Sequence, residues 1–212
     1  MFEDRVDAGR KLAEKLLKFK DKDAIVLAIP RGGVEVGAEI AKKLNLELDV
    51  IVVRKLGYPP EPEYGIGAIS ENNSVYLDEK AIKSLDLSKS QIDRIRNEEE
   101  KELKRRVFLY RKGKSLQSLK RKTVILVDDG LATGVSAQAS IIAVRKKSPG
   151  IIVFATPVSG GDSANIIRKK VDLFISVLEA NELFAIGAFY RNFEQVSDEK
   201  VIELLSSRKA ID

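Results

Sequence analysis

Apolar positions along the chain fall into two rhythms. Short apolar-rich runs recur at "AIVLAI" (24–29), "ELDVIVV" (47–53), "TVILV" (123–127), "IIVFATPV" (151–158) and "VDLFISVL" (171–178). Runs this short and this rich in branched residues read as strands buried on both faces. Between them the apolar residues take helical spacing. Arg5 to Phe19 carries Val6, Leu12, Leu16 and Leu17 on one side, "VEVGAEIAKKLN" reads as a helix stopping at Asn45, and Val135 to Lys147 and "GDSANIIRKK" read as two more. Strand and helix in alternation predict an α/β fold: a central, mostly parallel sheet flanked by helices.

The alternation breaks in two places. "RKLGYPPEPEYGIGAIS" (54–70) holds three prolines and three glycines and reads as an exposed loop leading into a strand near Gly65 to Ser70, with "SVYL" (74–77) as a short strand beside it. From Ser88 to Arg111 the chain is dense in charge, with Ile92, Ile95, Leu103 and Val107 on one side, which predicts a long surface helix. After the last strand comes an aromatic-rich irregular stretch, then a closing helix that Ser197-Asp198-Glu199 can start. With no internal repeat, low-complexity tract or linker, residues 1–212 are expected to form one domain, with an insertion over about 72–121.

Composition narrows the chemistry. Hydrophobic residues make up 44% and charged residues 33%, as in a globular protein. No apolar run approaches a membrane span and the N-terminus is too charged for a signal peptide, so a cytoplasmic setting without membrane contact is expected. There is no cysteine and no histidine. That excludes disulfides, thiolate nucleophiles, Ser-His-Asp triads and imidazole metal ligands. Abundant Lys and Glu read as heat adaptation. A net charge of +5 fits an anionic ligand, a phosphorylated metabolite or a nucleic acid.

Two predicted strands end in unusual loops, "PRGG" after residue 29 and "DDGLATG" after residue 127. Parallel strands share polarity, so both loops belong on one edge of the sheet, where ligands bind in such folds. An isolated Asp pair reads as an Asx turn or a helix cap. Here small, hydroxylated residues follow at a helix N-terminus, whose free N–H groups can cradle a phosphate. Carboxylates accept from vicinal hydroxyls, and acids beside amides describe a pentose 5-phosphate. Neither a Walker A loop nor a G-x-G-x-x-G fingerprint is present.

"VILVDDGLATGVS" resembles the thirteen-residue signature of type I phosphoribosyltransferases, and "AIPRGGVEVGAEIAKKL" resembles that family's pyrophosphate loop and following helix. The whole chain is similar to a predicted phosphoribosyltransferase subfamily that shares the opening "F-x-D-R-x-x-A-G", the "RKLG" and the closing "F-x-Q-V-S-D-E". The resemblance implies the type I phosphoribosyltransferase fold with a helical insertion and a small hood, contributed by the N-terminal segment, by residues 180–212, or by both. It implies a pentosyltransferase that moves phosphoribosyl from 5-phosphoribosyl-1-pyrophosphate (PRPP) to a nitrogenous, nucleobase-like acceptor with Mg²⁺ as cofactor, working as a homodimer. By match, Asp128 and Asp129 hold the ribose hydroxyls and touch the metal through ligand or water. Gly130, Ala132, Thr133, Gly134, Val135 and Ser136 form the 5-phosphate loop. Arg31, Gly32 and Gly33 form the pyrophosphate loop, which in the family often contains a non-proline cis peptide. Arg31, Lys55, Asp128 and Asp129 are the implied catalytic residues, and Arg54 joins Lys55 as a substrate-binding cation, although both also fit a plain exposed strand end.

The loop from Gly57 to Tyr64 lies where the family has a mobile lid, and its three prolines argue for stiffness. Arg105, Arg106, Arg111 and Lys112 on the charged helix are candidates for reaching a neighbouring subunit's phosphate. The residue before the Thr-Gly of the phosphate loop is Ala132, where hypoxanthine and guanine enzymes of the family carry an aspartate, so a 6-oxopurine acceptor is disfavoured. Phe184, Phe189, Tyr190 and Phe193 could stack on a base or be ordinary core. Two other readings stand beside the transferase: a PRPP- or nucleotide-sensing regulator, which could bind RNA through a basic face, and a hydrolase or kinase-like enzyme on a similar fold. Nucleic acid is disfavoured because the basic residues are interleaved with acids.

Overall fold

The computed structural model describes residues 1–181, 183 and 185–207, apart from the side chain of Glu63. Five strands form the central sheet: β1 (Ala24–Ala28), β2 (Glu47–Val50), β6 (Thr123–Val127), β7 (Ile151–Gly160) and β8 (Leu173–Ala180). Their order is β2-β1-β6-β7-β8 and every pairing is parallel. In β1, β6 and β7 the apolar runs are nearly continuous because both faces are covered, while the edge strands β2 and β8 carry polar residues and are less buried. Val26, Ala28, Ile125 and Val127 point to a core shared with α1 (Arg5–Lys15), α2 (Gly32–Leu44) and α7 (Asp198–Ser206). Their neighbours Ile25, Leu27, Val124 and Leu126 point to the opposite core, under α5 (Val135–Arg145).

The remaining strands form a second, antiparallel sheet of β3 (Val53–Tyr58), β4 (Glu61–Ser70) and β5 (Ser74–Leu77). This corrects two expectations. The run "ELDVIVV" is not one strand: the chain leaves the central sheet after Val50 and starts the second sheet at Val53. The proline-rich stretch is not an exposed loop but the end of a β3–β4 hairpin, turning at Pro59 and Pro60. Register shifts on either side of Gly57 let Gly57 pair with Gly65 and Tyr58 with Glu61. Pro62 falls in the bulged span between those pairs, so its missing N–H costs no ladder bond. The expected pairing of "SVYL" with the strand before it is present.

A short helix, α3 (Glu79–Ser84), precedes α4 (Lys89–Arg111), whose N-terminus is closed by a Ser88–Gln91 capping box. α6 (Gly161–Arg168) joins β7 to β8. α4 lies against the second sheet through Ile95 and Leu103, in the same core as Leu56, Ile66 and Ile69. Its last residue, Arg111, is buried. It donates to Glu71 through two nitrogens (2.6 Å each), to the Val50 carbonyl (2.6 Å) and to Asp49 (3.2 Å). Glu71 also accepts from the Val52 N–H at 2.8 Å. This ion pair therefore takes up the backbone groups freed where the chain passes between the sheets. Arg111 is thus not available to a neighbouring subunit.

Arg111→Met should lower the unfolding free energy by about 3–5 kcal/mol, because it strands Glu71 inside the protein. Arg94→Ala on the same helix removes an exposed pair with Glu98 and should cost under about 1 kcal/mol. Denaturant titration of the two variants checks the contrast.

Candidate active site

Strand order reverses between β1 and β6: β2 lies to one side of β1, and β7 to the other side of β6. A crevice opens at the carboxyl ends of two such strands, because the helices that follow them depart over opposite faces. Here those helices are α2 and α5, and each begins at one of the two loops. Arg31 is the N-cap of α2 and Gly134 (φ +77°) is that of α5, and neither helix has a side-chain cap. First-turn N–H groups of both helices therefore face the crevice with the positive ends of their dipoles.

The structure brings the acid pair against the other loop. The peptide bond between Pro30 and Arg31 is cis. A Cβ on Gly32 would overlap Asp129 Oδ2 and reach to 2.7 Å from Arg5 Nε. One on Gly33 would lie 2.9 Å from the Val127 carbonyl and 3.3 Å from Asp128 Oδ1. Only bare Cα atoms allow this approach. Asp128 Oδ1 accepts from the Asp129 N–H at 2.9 Å. Burial, and then the charge of Asp129, pushes the Asp128 carboxyl well above the usual carboxylate range.

The loop after the acids is pinned from below. Leu131 N–H donates to Val158 O (2.9 Å), Gly160 N–H donates to Leu131 O (3.0 Å), and Ser163 Oγ donates to the Ala132 carbonyl. Its outer side stays open, with Thr133 exposed and Ser136 half-buried. Gly65 brings the hairpin to the start of α5, since a Cβ there would lie 3.1 Å from Lys55 Cδ and 3.3 Å from Val135 Cγ2. Lys55 thus lies near the start of α5. Arg54 is further committed, with Nε 2.6 Å from Glu99 of α4. Arg31 lies at 3.8 Å from Asp198, which also accepts from Arg105 (2.8 Å) and from the Tyr110 hydroxyl (2.6 Å). Burial works to raise the Asp198 pKa, but the bonds from Arg105 and Tyr110 win and hold it below the usual range. Arg105 and Arg106 both also pair with Glu102.

Arg5 is the residue that sequence reasoning left without a role, although it stands in the quoted opening motif. Its Nε donates to Asp129 Oδ2 at 2.7 Å, and its side chain is 8% exposed. Tyr190, also unassigned to the acids, donates its hydroxyl to the Asp129 carbonyl at 2.6 Å. Tyr190 packs between Phe2 (5.3 Å) and Phe193 (4.9 Å), and Phe193 carries the Arg5 guanidinium 3.8 Å above its ring. Ile186 sits so close to Gly130 that any Cβ there would collide with it. The N-terminus and residues 186–196 thus wrap one side of the acid pair. Phe189 is half-buried and Phe184 lies outside the described residues. A cavity of about 310 Å³ opens beside Arg5, bordered by Glu35, Asn192, Glu194 and Lys200. Burial raises the Glu35 pKa against the pull of Arg5. A periodic motif could not have revealed Arg5, because its partners lie far away in the chain.

Gly32→Ala should destabilise the protein by about 1–3 kcal/mol, since the added methyl must displace Asp129 or Arg5. Tyr190→Phe, which removes one hydroxyl bond, should cost about 1 kcal/mol. Equal stability of Gly32→Ala and wild type in urea unfolding would mean that the loops do not meet.

Comparison with known proteins agrees with the arrangement. Residues 2–188 match the family model of the phosphoribosyl transferase domain. A Mycobacterium tuberculosis H37Rv protein, provisionally named a phosphoribosyl transferase, is 37% identical over 205 residues, covering 97% of this chain and 46% of its own length. The chain thus spans about half the length of the curated relatives it matches. The crystal structure of TT1426 from Thermus thermophilus superposes with a TM-score of 0.79 at 34% identity, covering 97% of this chain and 98% of that one. A purine phosphoribosyltransferase from Pyrococcus horikoshii shares the fold at TM-score 0.50 and 18% identity, over 91% and 93% of the two chains. Since the matched region takes in both loops, the acid pair and the strand reversal that joins them, this chain belongs to the phosphoribosyl transferase domain family.

Proposed function

We propose that the protein transfers a 5-phosphoribosyl group from PRPP to the nitrogen of a nucleobase-like acceptor, releasing pyrophosphate. The observation that carries this reading is the crevice between β1 and β6, where the uncapped N-termini of α2 and α5 flank Asp128 and Asp129. In it, the acids accept from the ribose 2- and 3-hydroxyls. The amides of Ala132 to Ser136, with the Thr133 and Ser136 hydroxyls, hold the 5-phosphate. The Arg31-Gly32-Gly33 loop takes the pyrophosphate.

Reaction then requires that the C1–O bond to pyrophosphate lengthen while positive charge builds on the ribose. The electron pair leaves with pyrophosphate, the acceptor nitrogen bonds to C1, and that nitrogen gives up its proton. Cations lower the barrier by meeting the departing charge. In this reading Arg31 and Lys55 meet that charge, with Arg54 joining them on release from Glu99. No cluster of three or more metal-ligating side chains exists among the described residues. The hard oxygens of the acid pair still suit an ion held mainly by ligand phosphates and water, as Mg²⁺ prefers. When bound, Mg²⁺ supplies positive charge to the pyrophosphate oxygens.

We further propose that residues 1–212 act as one domain with its insertion at about 72–121, that residues near the N-terminus and from 180 onward form the hood, and that the enzyme is a cytoplasmic homodimer. Among the described residues no helix is long and apolar enough to cross a membrane. Ala132 continues to disfavour acceptor recognition through an aspartate at that position.

PRPP with Mg²⁺ at 100 times its Kd should stabilise the protein by about 2.7 kcal/mol, seen as a rise in Tm. Asp128→Asn/Asp129→Asn should abolish the rise while the free protein stays folded. No shift at millimolar PRPP would remove the reading. A shift without pyrophosphate release across a nucleobase panel would leave a sensor rather than a transferase.

A further inference from the structure

Arg5 is fixed more firmly than tethering the N-terminus requires. Nε donates to Asp129 Oδ2 at 2.7 Å, and NH1 donates to the Glu194 carbonyl at 2.7 Å while lying 3.8 Å from Glu35. The Phe193 ring covers one face at 3.8 Å. A guanidinium is planar and its donors form a rigid fork, so two bonds and a stacked ring leave it one orientation. That orientation passes to the Asp129 carboxylate. Gly32, whose missing Cβ makes room for the pair, lies against both partners.

We propose that Arg5 is a positioning residue for sugar recognition: it aims the Asp129 carboxylate at the ribose hydroxyls and so gives the site a preference for ribose 5-phosphate over 2-deoxyribose 5-phosphate. The inference rests on the reading of Asp128 and Asp129 as hydroxyl acceptors. A carboxylate offers about four acceptor positions, so the Arg5 bond leaves capacity for the sugar. Held in place, that capacity discriminates, because a ligand lacking the hydroxyl leaves a partly buried acceptor unpaired. Direct contact of Arg5 with a ligand phosphate fits the geometry less well, since Nε and NH1 are engaged within the protein and one face is covered. A purely structural role, pinning residues 193–196 to the cleft, is the competing account.

Calorimetric titration of the full chain with ribose 5-phosphate, 2-deoxyribose 5-phosphate and inorganic phosphate, each with Mg²⁺, separates these accounts. Wild type should favour the ribose form about tenfold, the size of one charge-assisted hydrogen bond. Arg5→Gln should bring the ratio to within about twofold of unity, with affinity for inorganic phosphate unchanged. Arg5→Lys keeps the charge without the fork and should fall between the two. Phe193→Leu should lower Tm but keep the ratio, because the bond to Asp129 stands. A wild-type ratio in Arg5→Gln overturns the proposal, as does a collapse in Phe193→Leu as full as that in Arg5→Gln. Should Arg5→Gln not fold, Arg5→Met is read in its place. Should neither fold, an undiminished preference in Arg5→Lys overturns the proposal. A wild type that binds ribose 5-phosphate without preference overturns the hydroxyl-acceptor reading and this inference with it. A preference that survives loss of Arg5 overturns this inference alone.

Discussion

The reversal of strand order between β1 and β6 is the constraint on which the rest depends. α2 and α5 must leave over opposite faces, so their N-termini and the loops before them are drawn to one crevice. Two chain segments far apart in sequence then share a space too small for side chains from both. The conflict is resolved at the point of closest approach by letting only one segment carry side chains: Asp128 and Asp129 project, while Gly32 and Gly33 project nothing. A side chain at position 32 or 33 would have to push the carboxylates out of place.

α4, outside the central sheet, is linked to the cations near the crevice through polar pairs. α4 holds Arg54 by Glu99, and Arg105 and Tyr110 meet Arg31 at Asp198 on α7. These pairs are partly exposed and add little to stability. Their effect is on where the cations stand. The buried pair Arg111–Glu71 has the other character: it satisfies the Val50 carbonyl and the Val52 N–H and so fixes where the second sheet begins. One helix thus stabilises the fold at its C-terminus and arranges side chains near the crevice along its length.

The central sheet, its flanking helices and the facing loops were legible in the sequence because each rests on local pattern: apolar runs for the strands, helical spacing for α2 and α5, glycine for the close approach. The second sheet was hidden. "ELDVIVV" looks uniform, and nothing local marks the exit after Val50, which depends on Arg111, 61 positions later. Prolines at 59, 60 and 62 suggested a loop, yet the register shifts at Gly57 accommodate them in a hairpin. Within the site, the acids and glycines announced themselves by spacing. Arg5 and Tyr190 did not, because what gives them meaning is a partner in another part of the chain.

The acid pair's surroundings also carry a consequence for the order in which the molecule comes together. Arg5 bonds to Asp129 and to Glu194 across 124 and 189 positions of sequence, and the first residues zip onto Phe189, Arg191 and Asn192. Contacts of such separation close late, after the loops between them have lost their freedom. In sequence, the sheet strands and both glycine loops all precede residues 186–194, the later part of that cover. The cover of the crevice therefore rests on contacts between residues 2–5 and 189–194 that the sheet and its loops do not need in order to form.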